Sequence, residues 1–301
     1  MSTWIPSTTR QPLPPSGQPA ILVRPEPDAP FPSAPREKGG AKLGWVLNLM
    51  ARYDFRSPRL LVAAPLSPGA TIVLDAAQAH YLTTVLRLKA GDPLLIFNGM
   101  DGEWKAHLAE SGRRKAAASI EAQTRLQTPP GNLHYLFSPL KHARLDYMIQ
   151  KAVEMGASRL QPVMMRHTHA ERVNLERMRA NAVEAAQQCG ILAVPEIAPP
   201  VDFKPAIASL APSRHLVFCD EDAPCADPVS ALRAAWSGAQ PNQSGLAVII
   251  GPEGGFAEEE RAMLLLRPAT TRIALGPRIL RADTAAVAAL ALVQAALGDW
   301  L

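Results

Sequence analysis

From residue 133 onward, short apolar runs alternate with stretches of helical period, and this alternation limits the folds open to the chain. LHYLF (133–137), RLQPVMM (159–165), HLVFC (215–219), LAVII (246–250) and TRIAL (271–275) read as buried strands. Between them, ARLDYMIQKAVEMG (143–156) places Leu145, Met148, Ile149, Ala152 and Val153 on one stripe, with Gly156 as its C-terminal stop. Further helices are predicted from about residue 171 to Gly190 and near 229–236, 257–266 and 283–297. Strands and helices in alternation imply an α/β domain with a mostly parallel sheet, covered on both faces.

Such sheets bind ligands at the carboxyl ends of their strands. Two junctions there carry glycine: VIIGPEGGFAEEE (248–260) and IALGPRILRADTAA (273–286). VFCDE (217–221) is a third. The first is neither a phosphate loop nor a dinucleotide fingerprint, because it has no lysine and no G-x-G-x-x-G spacing. Glu258, Glu259 and Glu260 would also repel a phosphate. Two readings remain at this level, a tight turn before an acidic helix start, or a loop that closes its backbone on an uncharged or cationic ligand. The helix that follows, TAAVAALALVQAAL (284–297), reflects either close packing against neighbouring backbone or alanine's helix propensity alone.

The remainder of the chain has a different texture. Runs at RLLVA, TIVL, DPLLIFN, EWKAHLAE and AAASIEA, between residues 59 and 122, predict a small β-barrel, with GMDG (99–102) as a hairpin turn. One helix, DAAQAHYLTTVLRL (75–88), interrupts them with Asp75 as N-cap. TPPGN (128–132) is a natural linker. The domain expectation is therefore a tail over 1–49, a barrel over 50–126 and a sheet domain over 127–301.

The tail holds 10 of the 29 prolines and too little apolar surface to offset chain entropy, so it reads as disordered. Met50 opens the ordered texture, which makes it a candidate initiator, with the first 49 residues either a gene-start artefact or a genuine flexible arm. Residues 1–126 carry the whole positive excess, 15 basic against 10 acidic side chains, which fits either nucleic-acid contact or ordinary surface variation. No uninterrupted apolar run reaches the length of a membrane span. Cys189, Cys219 and Cys225 form no paired framework, as suits a reducing cytoplasm. His167 and His169 resemble a metal pair only superficially, and no metal is expected.

The pairing of GPEGGF with LGPRILR, followed by an alanine-rich helix, resembles the SPOUT class of RNA methyltransferases. HYLTTVLRLKAGD (80–92), KHARLDYMIQKAVEMGASRLQPV (141–163) and QCG…VPEI (188–197) narrow the resemblance to the bacterial 16S ribosomal RNA (uracil-N3)-methyltransferase family, over residues 50–301. That resemblance implies a PUA-like N-terminal domain, a deep trefoil knot in the C-terminal sheet, S-adenosyl-L-methionine in the knot loops and a homodimer acting on the small ribosomal subunit. It assigns the cofactor to Gly251, Glu253, Gly254, Leu275, Gly276, Ile279 and Leu280. A cationic sulfonium explains a glycine loop without a lysine.

Methylating uracil at N3 leaves negative charge on the ring carbonyls, which an arginine would stabilise in the transition state. Arg278 and Arg281 are the candidates, the alternative being ion pairs with Glu253 or Asp283. Lys141, Arg144 and Arg166 are candidate phosphate contacts, or simply solvated surface charges. Where the family has Glu-Gln-Cys-Gly-Arg, this chain has Gln187, Gln188, Cys189, Gly190 and Ile191. Ala282 and Asp283 stand where Thr-Glu usually follows Arg281. A methyltransferase of the same class with another target nucleotide and a catalytically silent RNA-binding factor are the alternatives.

Overall fold

The computed structural model describes residues 54 and 56–300, except 112–114, 142, 171, 225–226 and 237–244. The proline-rich tail, Met50 and Cys225 lie outside the described residues.

Five strands make the N-terminal sheet: β1 (Arg59–Leu61), β2 (Thr71–Leu74), β3 (Pro93–Phe97), β4 (Glu103–Ser111) and β5 (Ala116–Arg125), ordered β1-β3-β4-β5-β2. Only β1 and β3 run parallel; the other neighbours are antiparallel. The β3–β4 turn needs its glycine, since a Cβ on Gly102 (φ +80°) would collide with the Arg125 carbonyl. Helix α1 (Ala76–His80) starts in the expected box, Asp75 accepting from Gln78 N–H while the Gln78 side chain accepts from Asp75 N–H. It widens into a π-helical turn over Tyr81–Val85 and buries Leu82 among Leu60, Ile72, Leu94, Ile96, Trp104 and Leu108.

In the C-terminal half the order is β6 (Leu133–Phe137), α2 (Ala143–Glu154), β7 (Arg159–Met164), α3 (Leu175–Cys189), β8 (Glu196–Ile197), β9 (Val201–Asp202), α4 (Phe203–Ser209), β10 (His215–Cys219), α5 (Pro228–Trp236), β11 (Leu246–Ile250), α6 (Glu258–Leu266), β12 (Thr270–Ile273) and α7 (Ala282–Leu297). The sheet runs β12-β10-β11-β6-β7-β8, with β9 also on β7, and every pairing is parallel. β11 slots between β6 and β10 although it follows both in the chain, and all five of its residues are buried. The short β8, β9 and α4 had no counterpart in the sequence reading, being too brief to set up a period.

The alanine-rich α7 is enclosed as the close-packing reading requires. Ala282, Ala286, Ala289, Leu290, Val293 and Ala296 are buried, and the helix packs on α2, α5 and β11. Its Gln294 donates to the Met155 carbonyl at 2.8 Å, where α2 ends at Gly156 (φ +79°). α3 begins at an Asn174 cap, later than expected, and stops at the left-handed Gly190.

The N-terminal sheet is pinned to α3. Leu61 N–H donates to Gln187 Oε1 at 2.9 Å, and Arg125 donates to the Gly190 carbonyl at 2.9 Å. Arg125 also joins Arg59 on the buried Glu103, at 2.7 and 2.8 Å. Burial alone would raise the Glu103 carboxyl; the two guanidiniums outweigh it and hold the group below the usual carboxylate range. Gln187 thus clips β1, and Ile191 lies half-buried against the main core.

Candidate active site

Because β10, β11 and β12 are neighbours and parallel, their three following loops meet at one edge, around a cleft of about 570 Å³. The β11 loop turns tightly, with Gly255 N–H donating to the Pro252 carbonyl at 2.9 Å and Gly255 at φ +73°. Gly251 is needed for a different reason. A Cβ there would stand 2.8 Å from the ring of Phe256, which is buried edge-on against Phe218. Glycine here lets the Phe256 ring lie directly against the loop backbone, and both line the cleft. In the β12 loop, Gly276 adopts φ +92° with open space around it, so conformation rather than room selects glycine.

The β10 loop brings Asp220, whose side chain is 1% exposed. It accepts from Arg272 Nε at 2.7 Å and pairs with Arg261 at 3.2 Å, while Arg261 also holds Asp222. This network ties β10, α6 and β12 together beneath the cleft. The Arg261 Nε is buried without a hydrogen-bond partner. Next to it, burial and then the Asp220 charge push the Cys219 thiol up to about 12, so it stays neutral and is no nucleophile. Glu260 is likewise structural, accepting Ala257 N–H at 2.9 Å and Arg166 N–H at 2.8 Å. The acidic first turn of α6 thus splits into one internal cap and two exposed carboxylates, Glu258 and Glu259.

Of the residues assigned to the cofactor from sequence, Gly251, Glu253, Leu275, Gly276, Ile279 and Leu280 line the cleft. Gly254 does not. Its Cα faces the His167 side chain, whose Cβ would lie 3.2 Å from an added methyl, and Gly255 occupies the cleft wall in its place. The imidazole of His167 donates from Nδ1 to the Gly255 carbonyl at 3.1 Å, bracing the loop from behind. Asp220, Glu221, Phe256 and Arg261 also line the cleft; VFCDE pointed to the first two and GPEGGF contained the third without a role, while no sequence signal distinguished Arg261.

Arg278 and Arg281 both stand on the rim, exposed to solvent. Neither makes an ion pair among the described residues, and Glu253 instead faces Arg144 at 3.9 Å. The Arg281 carbonyl accepts Ala285 N–H at 2.7 Å, fixing the residue at the start of α7. Lys141 lies on the β6–α2 loop and Arg166 after β7, both exposed, the latter's backbone held by Glu260. Among the described residues no group of His, Cys, Asp and Glu is arranged to hold a metal ion.

Glycine loops closing on a lysine-free cleft at the switch point of a parallel sheet define an RNA-modifying class when set beside known proteins. An RNA methyltransferase domain model matches residues 127–294 and an RNA methyltransferase PUA domain model matches 74–121, and the chain belongs to this RNA methyltransferase family. It is similar to Ribosomal RNA small subunit methyltransferase E of Rickettsia conorii, 28% identical over 78% of this chain and 94% of the relative. The protein of the same name from a Synechocystis strain is 31% identical over 79% and 78%. Among solved structures, Ribosomal RNA small subunit methyltransferase E from Neisseria gonorrhoeae, bound to S-adenosyl methionine, superposes with a TM-score of 0.71 at 25% identity, over 82% of this chain and all of that one.

Proposed function

We propose that this protein transfers the methyl group of S-adenosyl-L-methionine to N3 of a uridine in small-subunit ribosomal RNA. The observation that carries the reading is the cleft: two glycine loops at its wall, the exposed carboxylates of Glu221 and Glu253 free of the Asp220–Arg261–Arg272 network, the exposed Arg278 and Arg281 on the β12 loop, and no lysine. A cationic, phosphate-free adenosine derivative suits that lining. Gly251, Gly255 and Gly276 would give its adenosine close backbone contact, with Leu275 and Leu280 as apolar walls. When bound, the sulfonium supplies an electrophilic methyl group.

The chain's own residues do the rest. Uracil N3 must give up its proton to solvent water before it attacks, which spreads negative charge over two ring carbonyls. Arg278 and Arg281 would stabilise that charge; their position on the cleft lining, without an ion pair among the described residues, supports the role. Leaving them unpaired keeps their full hydrogen-bonding capacity for the transition state.

The same reading divides the chain into a PUA-like RNA-clamping barrel over 50–126 and a SPOUT catalytic domain over 127–301. The late insertion of β11 between β6 and β10 supports the trefoil knot. Ile279, 93% exposed at the cleft rim, supports a homodimer in which a second copy covers it. The cytoplasm, where ribosomes assemble, is the compartment that fits, and no described helix is long and apolar enough to cross a membrane. The test uses purified protein, cofactor and small subunits lacking base methylation, with nucleosides from the recovered RNA read by mass spectrometry. Cofactor-dependent 3-methyluridine is expected. A different methylated nucleoside would move the target, and RNA binding with neither turnover nor cofactor affinity would leave a silent binding factor.

A further inference from the structure

A second concavity opens on the same carboxyl edge of the sheet, between the loops that follow β6 and β7. It encloses about 720 Å³, more than the cofactor cleft, and nothing in the proposed methyl transfer uses it. Leu140 and Met178 are buried in its floor, with Leu145 and Val173 half-buried beside them. Lys141, His169, Arg172 and Arg177 stand around the rim. Asp146 is the one carboxylate among its lining residues, and the Arg177 guanidinium grips both of its oxygens. Lys141 and Arg172 are exposed at the rim and make no ion pair among the described residues. Glu171, beside Arg172 in the chain, lies outside the described residues.

The groove is joined mechanically to the cleft. Arg144, one position before the groove-lining Leu145, faces the cleft-lining Glu253, and His167, two positions before His169, braces the carbonyl of Gly255. The two concavities therefore share the loops of one sheet edge. An aliphatic floor beneath a cationic rim is complementary to a single-stranded nucleotide, whose base covers the floor while its phosphate meets Lys141 and Arg172. Duplex RNA offers no exposed base face to such a floor.

We infer that this groove is a second nucleotide subsite, holding an unpaired ribonucleotide that flanks the methylated one in the RNA strand. The inference rests on the methyltransferase reading and adds the shape of the substrate: the target lies in an unpaired segment, gripped at two points along one sheet edge.

Two variants of the full chain test it by different signatures. Lys141→Ala with Arg172→Ala removes two phosphate contacts, so the slope of log K against log salt for small-subunit RNA should shrink by about 1.4, with affinity down roughly tenfold. Val173→Trp fills the floor and leaves the charge, so affinity should fall with the slope unchanged. Cofactor affinity, read by calorimetry, should match the parent in both and reports that the fold is intact. Parental slope and parental RNA affinity in both variants would overturn the subsite while leaving the methyltransferase reading in place. A defect confined to assembled subunits, absent on naked RNA, would assign the groove to a ribosomal protein and overturn it equally. If the parent neither binds nor methylates small-subunit RNA, the functional reading fails and the subsite with it.

Discussion

One parallel sheet edge carries two concavities, and they use charge in opposite ways. At the cleft that follows β10, β11 and β12, the least exposed ionic groups are committed to the protein: Asp220 to Arg272 and Arg261, Arg261 to Asp222, and, beside the cleft, Glu260 to two backbone N–H groups. Arg278 and Arg281 alone among its arginines lack an ion pair within the described residues. Around the groove that follows β6 and β7, Asp146 is held by Arg177 and Asn181, while Lys141 and Arg172 make no ion pair among the described residues. A site that must hold a small cofactor in one pose needs a fixed frame, and the frame here is ionic. A site that grips a flexible polyanion needs cations that are free to reach it.

The strongest way to break this contrast is to remove a frame charge. Asp220→Ala strands the Arg272 guanidinium, leaves Arg261 with Asp222 alone, and should cost about 3–5 kcal/mol of folding stability, the usual penalty for breaking a buried pair from one side. Urea denaturation reads it. A change below 1 kcal/mol, within the range of exposed ion pairs, would mean that the network is not a frame. Lys141→Ala, by comparison, should leave the denaturation midpoint where it was.

Next in size is the effect on rate. Arg281→Ala should lower kcat by about 10²–10³, the scale for loss of one donor to a developing oxyanion, with cofactor affinity nearly intact. Single-turnover methylation and calorimetry separate the two. A defect in cofactor binding alone would make Arg281 part of the frame after all.

How much of this was legible in the sequence follows from the same division. The parallel sheet, the α2 stripe and the enclosed α7 were legible because periodic apolar patterning is a local signal. The glycine loops were legible because glycine marks where backbone must turn or come close. The frame was not: Asp220, Arg261 and Arg272 lie 52 positions apart along the chain at the widest, and an acidic or basic residue looks alike in sequence whether buried or exposed. Phe256 was missed because its function is to occupy the space beside Gly251, which only the fold brings into view. The sequence also pointed to Gly254 rather than Gly255, since a run of two glycines does not say which one faces the ligand.

That last pair gives the smallest effects and the finest test of the cleft's wall. Gly251→Leu drives a side chain into the Phe256 ring, where even a Cβ would approach to 2.8 Å. Overpacking of that kind costs about 1–3 kcal/mol, so cofactor affinity should weaken roughly ten- to a hundredfold. Gly254→Ala meets the Cβ of His167 at 3.2 Å, away from the cleft lining, and needs a shift of only a few tenths of an ångström there. It should change cofactor affinity by no more than about twofold, as expected of a substitution within about 0.5 kcal/mol of neutral. Calorimetry on the two proteins orders them. If Gly254→Ala proves the more damaging, the ligand lies behind the loop, against His167, and the wall assigned to Gly251 and Gly255 is the wrong face.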